Sequence, residues 1–267
     1  MFYKIFCFLK RDFLIQSSYK ASYLLGWLRS LFTLLPFFFI ARLLGKDLPL
    51  LSESGGDYFS FVLIGIMMRH FLGQSLSSFS NSFFSEQAGG TLEAMLLTPT
   101  RLPFLFVMIS IWNLAASLFS IALYLAFGVW CFGVRVSWSS LPTALSILLI
   151  TTVVFYSIGV VSTSFLLIFK RGNPFDLIFG GLSSLLGGVY FPIALLPDWL
   201  EKLSFCLPIT YALKALRLSL LQGVGFQEMT LELGILGGMV LLLLPLGILS
   251  FRQAFRRAKQ DGSLVHY

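Results

Sequence analysis

The sequence predicts an all-α integral membrane protein, and composition, segment length and charge placement all support this class. Of its 267 residues, 57% are hydrophobic and only 12% are charged, and the mean hydropathy is +0.87. Soluble domains are roughly half apolar and about a quarter charged, so a soluble fold of this chain would expose Phe and Leu over much of its surface. Six segments are long and apolar enough to cross a bilayer as helices.

Residues 1–17 are predicted to form an N-terminal helix that lies in the membrane interface and does not cross it. Lys4 and Arg11 fall on one face of this helix, and the apolar residues fall on the opposite face: Phe2, Ile5, Phe6, Leu9 and Phe13. A helix with one basic and one apolar face binds in the plane of the interface. A frayed cytoplasmic tail is the alternative interpretation of this stretch.

Each of the six apolar segments that follow is predicted to be a transmembrane helix. A hydrocarbon core about 30 Å thick requires roughly 20 helical residues. That length is reached by residues 21–43, 57–82, 102–132, 141–169, 174–196 and 231–251. The fifth segment is unusual, because its sequence FGGLSSLLGGVYFPIALLP contains two Gly pairs and two Pro residues, which are poor helix formers.

Residues 197–222 are predicted to form re-entrant exterior helices between spans five and six. The stretch is apolar but contains charged residues and is divided by Pro208. Irregular backbone at membrane depth is tolerated where it packs on protein or lines a cavity. We therefore expect the last third of the chain to contribute to a path or gate, within a single transmembrane domain that covers residues 1–267.

The Lys and Arg residues indicate the orientation, because positive charge is enriched in cytoplasmic loops. The loops are assigned alternately to the two sides of the membrane, starting from the N terminus. Eleven of the 19 basic residues then lie on one side and six on the other, while Arg29 and Arg69 lie within spans. The more basic side is expected to be cytoplasmic. Both termini of this multi-pass chain are then cytoplasmic.

A short polar segment, SEQAGGTLEAMLLTPTR at residues 85–101, follows span two on the cytoplasmic side. Thr91 is a favourable N-cap, Glu93 lies in the first turn where the helix dipole favours a carboxylate, and Pro99 ends the run. The two-turn helix predicted here has one apolar stripe: Leu92, Met95 and Leu96. A helix this short must dock to be stable. It docks either on the cytoplasmic face of its own chain or on another protein, and the residues leave both open.

Two stretches resemble the permeases of the ABC-2 type exporter family, the membrane subunits of ATP-binding-cassette exporters. The run EQAGGTLEAMLLTPTR is similar to the cytoplasmic segment of that family in its Glu, its Gly-Thr-Leu-Glu and its Thr-Pro. The run GGVYFPIALLPDWLEKLSFCLPITYALKALR is similar to the same family in its Phe-Pro, its Leu-Pro-x-Trp-Leu, its Pro-x-Thr-Tyr and the Arg that ends the run. Both runs lie where the family has them, after span two and between spans five and six.

The resemblance implies that residues 85–100 form a coupling helix that inserts into a separate ATPase subunit. The residues assigned to this coupling are Glu86, Gly90, Thr91, Leu92, Glu93, Leu96 and Pro99. The resemblance also implies two copies of the ATPase, which bind ATP and Mg²⁺, and a second permease that is identical or related to this chain. The chain has no GxxxxGK[ST] phosphate loop, so we expect it to carry no cofactor and not to be an enzyme.

A translocation path or gate is predicted from span two and from the last third of the chain. The residues assigned to it are Arg69, Val189, Tyr190, Pro192 and Pro208. Arg69 lies near the middle of span two, where a charge is costly and usually faces a partner or a cavity. The alternative is a structural bond from Arg69 to a neighbouring helix. Arg29 lies nearer the cytoplasmic end of span one and is interpreted as snorkelling.

Other functional classes lack the residues they require. The net charge of +7 does not indicate nucleic acid, because the basic residues flank the spans and do not cluster on a soluble face. Three Cys without CxxC spacing and two His give no disulfide or zinc pattern, and Asp176 stands alone at the edge of span five. A secondary transporter or channel without an ATPase partner is the alternative, although the sequence has neither the repeats nor the coupling-ion acids within the spans that such a protein normally shows. The expected location is a bacterial-type inner membrane.

Overall fold

The computed structural model describes residues 10–11, 14, 25–26, 28, 32–44, 57–90, 102–169 and 174–260. Every regular element in these ranges is helical. The helices in chain order are α1 (Leu35–Leu44), α2 (Tyr58–Ala88), α3 (Leu102–Phe132), α4 (Leu141–Phe169), α5 (Pro174–Leu186), α6 (Asp198–Ser204), α7 (Pro208–Gln222) and α8 (Thr230–Gln260). Short 3-10 turns lie at Trp138–Ser140, Ile193–Leu195 and Phe226–Met229.

Four of the described helices are long and apolar enough to cross a membrane: α2, α3, α4 and α8. They contain 29 to 31 residues, which corresponds to about 45 Å at 1.5 Å per residue. This length exceeds the ~30 Å thickness of the hydrocarbon core. The four helices coincide with predicted spans two, three, four and six, and the all-helical membrane class predicted from the sequence is confirmed.

The first predicted span and the interfacial helix are described only in part. Helix α1 covers the C-terminal half of the predicted span at 21–43, and it packs on α2. The predicted interfacial helix at 1–17 lies outside the described residues except at Lys10, Arg11 and Leu14. Both elements therefore stay predictions over most of their length.

The fifth predicted span is a helix over only the first half of its length. Helix α5 has 13 residues, or about 20 Å, and ends at Leu186, before the second Gly pair. The helices α6 and α7 that follow are bent by 82° relative to each other, as in a broken span or a re-entrant loop. Counting this bent pair as one span gives five membrane-capable units among the described residues. The count of six spans stays a prediction.

Helix α2 lies at the centre of the described fold. Within its membrane-crossing window 78% of the residues are buried inside the protein, compared with 22% for α3 and 17% for α8. It packs against α3, α4, α5 and α7, and the approach to α4 is close, because a β-carbon at Gly159 would overlap the carbonyl oxygen of Ser75. Most side chains in the membrane-crossing windows of the outer helices α3 and α8 are not fully buried inside the protein.

The predicted orientation is tested by labelling single cysteines in a variant that lacks Cys7, Cys131 and Cys206. We expect cysteines placed at residues 53, 137 and 222 to react with an impermeant maleimide added to intact cells. Cysteines at 88 and 260 should react only after the membrane is permeabilised, because the basic loops lie inside. Labelling of residue 88 in intact cells would contradict this topology.

Candidate functional site

The unusual fifth segment ends in an irregular turn, residues 187–192, between α5 and the 3-10 turn at Ile193–Leu195. Gly188 has a φ of +73°, a conformation that glycine adopts without the steric cost paid by other residues. At Gly187 a β-carbon would overlap the side chain of Ile209 on α7. The second Gly pair thus ends the helix and lets the chain turn closely against α7.

The turn rests on α2 through a backbone contact at Gly65. A β-carbon at Gly65 would overlap the carbonyl oxygen of Val189, so only glycine allows this approach. The side chain of Val189 is itself fully buried in its own chain. Gly65 lies seven residues from the start of α2, or about 10 Å along the helix, which places the contact in the predicted exterior half of the membrane.

A buried arginine on α7 holds the same turn in place. Arg217 is 7% exposed, and its Nη2 donates hydrogen bonds to the carbonyl oxygens of Gly188 at 2.9 Å and Phe61 at 3.0 Å, with Val189 O at 3.4 Å. Its guanidinium carbon also lies 3.4 Å from the centroid of the Phe61 ring. The non-helical carbonyls of the turn, which have no intrahelical partner, are therefore satisfied by a cation.

The sequence analysis recorded Arg217 only as the closing Arg of the second family-like run, without a role. The signal that indicates a role is a charged residue between two leucines, Leu216 and Leu218, in a segment predicted to enter the membrane. Such a residue is costly unless it has a specific partner. The partner was not identifiable from sequence, because backbone carbonyls carry no residue signature.

Arg69 lies one helical turn from Gly65 on α2 and is connected to α5. Its Nε donates to Ser184 Oγ at 2.9 Å, and Ser184 Oγ donates to the carbonyl oxygen of Gly180 at 2.6 Å. The arginine remains exposed in the chain. The structure thus contains the structural bond that the sequence left as an alternative, and it also leaves the Arg69 charge accessible.

Arg69 begins a polar stripe along α2, formed at helical spacing by Arg69, Gly73, Gln74, Ser77 and Asn81. All are exposed except Ser77, which is half-buried and donates to Gly73 O. The side chains of Gln74 and Asn81 make no hydrogen bond within the described part of the chain. Polar groups at membrane depth are expensive when they face lipid, so this stripe requires a partner or an aqueous path.

The other polar residues of α2 face the interior of the protein. Ser78 Oγ accepts a hydrogen bond from Asn113 Nδ2 on α3 at 3.0 Å, and Ser75 Oγ donates to Phe71 O. The polar inner half of span two is therefore divided between an internal face and the exposed stripe.

The remaining predicted gate residues lie around the irregular turn. Tyr190 stacks on Phe37 of α1, with ring centroids 5.4 Å apart. Pro192 is half-buried and precedes the 3-10 turn at Ile193–Leu195, and Pro208 is buried as the first residue of α7. The fold therefore brings Val189 and Tyr190 to within about one turn of α2 from Arg69.

The predicted coupling residues lie at the opposite end of α2. Glu86 belongs to the last turn of this helix, which ends at Ala88. Gly90 then adopts a φ of +68° in an exposed turn, as expected for a bend between α2 and the next segment. Thr91, Leu92, Glu93, Leu96 and Pro99 lie outside the described residues, and their coupling role stays a prediction.

Two acidic residues are paired with groups on neighbouring helices. Asp176 on α5 accepts a hydrogen bond from Ser162 Oγ of α4. Lys214 on α7 forms an ion pair with Glu232 on α8 at 2.9 Å. In the ranges that the structure describes, no three His, Cys, Asp or Glu residues come together as a metal site.

The described fold is that of a helical membrane protein, with a polar stripe on its central helix. A comparison with protein-family models matches residues 3–221 to the ABC-2 type transporter family. The match covers most of the 267 residues, and the chain belongs to this family. The resemblance found in the sequence is thereby confirmed. A comparison with curated proteins finds no match.

The contact between Gly65 and Val189 is tested by replacing each of two glycines of α2 with alanine. Gly65→Ala should lower the stability by about 1–3 kcal/mol, because the added methyl group forces apart two packed backbones. Gly73→Ala is the matched control, because a β-carbon there meets nothing within 4 Å, and it should be neutral or stabilise by up to about 1 kcal/mol. Thermal unfolding of the purified proteins in detergent measures both effects. Equal midpoints for the two variants would contradict the close contact.

Proposed function

We propose that this chain is the permease subunit of an ATP-binding-cassette exporter. A second permease copy, identical or related, faces its polar stripe, and two copies of a separate ATPase drive the pair. The observation that carries the proposal is the exposed stripe on α2, in a chain of the ABC-2 type transporter family. The chain resides in a bacterial-type inner membrane with both termini in the cytoplasm.

The stripe and its surroundings support a path shared with a second permease. Helix α5 lies beside the stripe through the bond from Arg69 to Ser184, and its outward face is apolar at Leu177, Ile178, Leu182 and Leu185. An apolar margin next to a polar stripe suits an interface that encloses a hydrated path and seals its edge. Lipid alone would leave Gln74 and Asn81 without partners.

The turn at 187–192 is proposed as the exterior gate of this path. It lies within one turn of Arg69 along α2, and it is non-helical, so it can change conformation without breaking a long helix. Val189 acts through its backbone contact with Gly65, and Tyr190 through its stacking on Phe37. Pro192 and Pro208 bound the gate, because each ends or begins an element there.

Helix α2 also connects the path to the cytoplasmic coupling segment. The helix is continuous from Tyr58 to Ala88, and Glu86 lies 17 residues, or about 26 Å, from Arg69. A displacement of segment 85–100 by an ATPase would therefore be transmitted along one rigid helix. ATP and Mg²⁺ bind to that partner, and the permease uses Thr91, Leu92, Glu93 and Leu96 to contact it.

The proposal is tested by co-purification of the tagged, full-length permease with candidate ATP-binding-cassette ATPases, followed by ATPase assays in vesicles with a panel of cargoes. We expect a stable complex and stimulation of its ATPase activity by one class of cargo. A permease that binds no such ATPase and catalyses ion-coupled uptake on its own would overturn the proposal in favour of a secondary transporter.

The coupling stripe is tested by changing Leu92 and Leu96 together to Asp. Two carboxylates in an apolar docking groove leave charges buried without partners, so the ATPase should be lost from the complex while expression and membrane insertion are unchanged. Thr98→Asp is the control, because helical spacing puts residue 98 off the stripe. If the double variant still binds the ATPase, the stripe packs against its own chain.

The charge of Arg69 is distinguished from its hydrogen bond by comparing Arg69→Leu with Ser184→Ala. The first removes the cation from the path, and the second removes only the bond to α5. We expect Arg69→Leu to reduce cargo-stimulated ATPase activity at least tenfold without loss of assembly, whereas Ser184→Ala retains most of the activity. Each tenfold step corresponds to about 1.4 kcal/mol in the barrier. Equal losses in the two variants would assign Arg69 to helix packing alone.

A further inference from the structure

A separate cavity of about 380 Å³ lies between α2, α3, α4 and α8. Its walls include Phe79 of α2, Leu114 of α3, Val153 and Val160 of α4, and Ile248 of α8. No residue of the polar stripe lines it, since Phe79 projects from another face of α2. Its volume lies in the range of about 300–1,000 Å³ that is typical of small-molecule sites.

The interior of the cavity is largely apolar although four hydroxyl-bearing residues of α4 line it: Thr152, Tyr156, Ser157 and Thr163. Thr152, Ser157 and Thr163 each donate their hydroxyl to a carbonyl of their own helix, at 2.7, 2.6 and 2.9 Å. Their hydrogen-bonding capacity as donors is therefore already used. A hydrophilic occupant would find few hydrogen-bonding partners in these walls. A hydrocarbon chain has no hydrogen bonds to lose on entering the cavity.

A positively charged side chain lies at one end of the cavity. Arg252 of α8 is a lining residue and is exposed, and Arg256 follows one turn later on the same helix. From Leu233 to Gln260 the sequence of α8 contains no acidic residue, and α3 and α4 contain no charged residue at all. By the distribution of Lys and Arg, this end faces the cytoplasmic headgroups.

We infer that this cavity binds one acyl chain of an anionic phospholipid from the cytoplasmic leaflet, with the lipid phosphate paired to Arg252. The two ends of the site match the two ends of such a lipid: hydrocarbon between the helices and a guanidinium at headgroup level, where arginine binds phosphate oxygens in a bidentate manner. A neutral phospholipid would fill the same cavity but would have a smaller net attraction to the cation.

The packing of α4 and α8 keeps this site separate from the proposed translocation path. A β-carbon at Gly247 would lie 2.9 Å from the carbonyl oxygen of Ser157, so the two backbones are in contact along one wall. A bound chain therefore fills a side pocket between α2, α3, α4 and α8 that no residue of the polar stripe lines. The lipid is a structural ligand of the helix pair and is not the cargo.

The experiment uses phosphatidylglycerol with a photoactivatable diazirine in its acyl chain, present as a minor component of phosphatidylcholine nanodiscs that contain the full-length permease. After illumination, mass spectrometry locates the adducts. The measured quantity is the ratio of adducts in residues 153–160 to adducts at the lipid-facing residues 241 and 242 in the same sample. This ratio cancels any general attraction of anionic lipid to the basic protein.

We expect labelling to concentrate in residues 153–160. Ile248→Trp, which fills the cavity, should reduce the ratio at least fivefold, and Leu249→Trp, the adjacent residue outside the cavity, should leave it unchanged. Arg252→Gln should reduce the preference over an otherwise identical phosphatidylcholine probe by about fivefold, the effect of one basic residue at a membrane surface. Arg257 lies 140° from Arg252 around an ideal helix. Arg257→Gln should therefore preserve the preference for the phosphatidylglycerol probe within the cavity.

Three results would overturn the inference. Uniform labelling along the lipid-facing helices would mean that the cavity binds no lipid specifically. Equal ratios for the two probes would remove the role of Arg252. Absence of adducts in residues 153–160 would mean that no acyl chain enters the cavity. The assay uses neither ATPase nor cargo, so its outcome is independent of the proposed transport function.

Discussion

The hydrogen bonds from Arg217 to the carbonyls of Phe61 and Gly188 are the interaction on which the rest of the site depends. Burying a cation costs several kcal/mol, and exposing unpaired carbonyls inside a membrane protein is also expensive. The guanidinium and the carbonyls therefore offset part of each other's penalty, while Arg217 Nε has no hydrogen-bond partner in the described part of the chain. The short helix α5, the close contact of Gly65 with Val189 and the position of Tyr190 all require the turn to stay where Arg217 holds it.

Helix α2 then acquires two distinct functions from its two faces. Its apolar face forms the centre of the bundle, so the helix cannot bend easily. Its polar stripe carries Arg69 and two amides, Gln74 and Asn81, that have no hydrogen-bonding partner in the described chain. Helix α2 contacts the turn through Gly65 and is continuous to Ala88, and it is the element through which we propose that motion passes from an ATPase to a gate.

The cavity wall on α4 and the polar stripe on α2 differ in how the hydrogen-bonding groups of their side chains are satisfied. On α4, the hydroxyls of Thr152, Ser157 and Thr163 bond to carbonyls of their own helix, which leaves a surface that hydrocarbon can contact. On α2, longer Arg, Gln and Asn side chains extend beyond the helix backbone and require another partner. The first arrangement suits a lipid chain, and the second suits water, cargo or a second permease. Residue type alone would not have separated them, because both helices are rich in polar residues.

The sequence by itself determined the membrane class, the four long helices and the family, because hydropathy, run length and short motifs are local properties. It also identified the Gly-rich fifth segment as irregular. Only the tertiary structure decided where that segment stops and what holds it, because the decisive contacts join residues distant in sequence: Arg217 lies 156 residues from Phe61, and Arg69 lies 115 from Ser184. The partners of Arg217 are backbone carbonyls, which every residue possesses. Their selection depends on the packing of α2 against α7 and on the space that Gly65 leaves open.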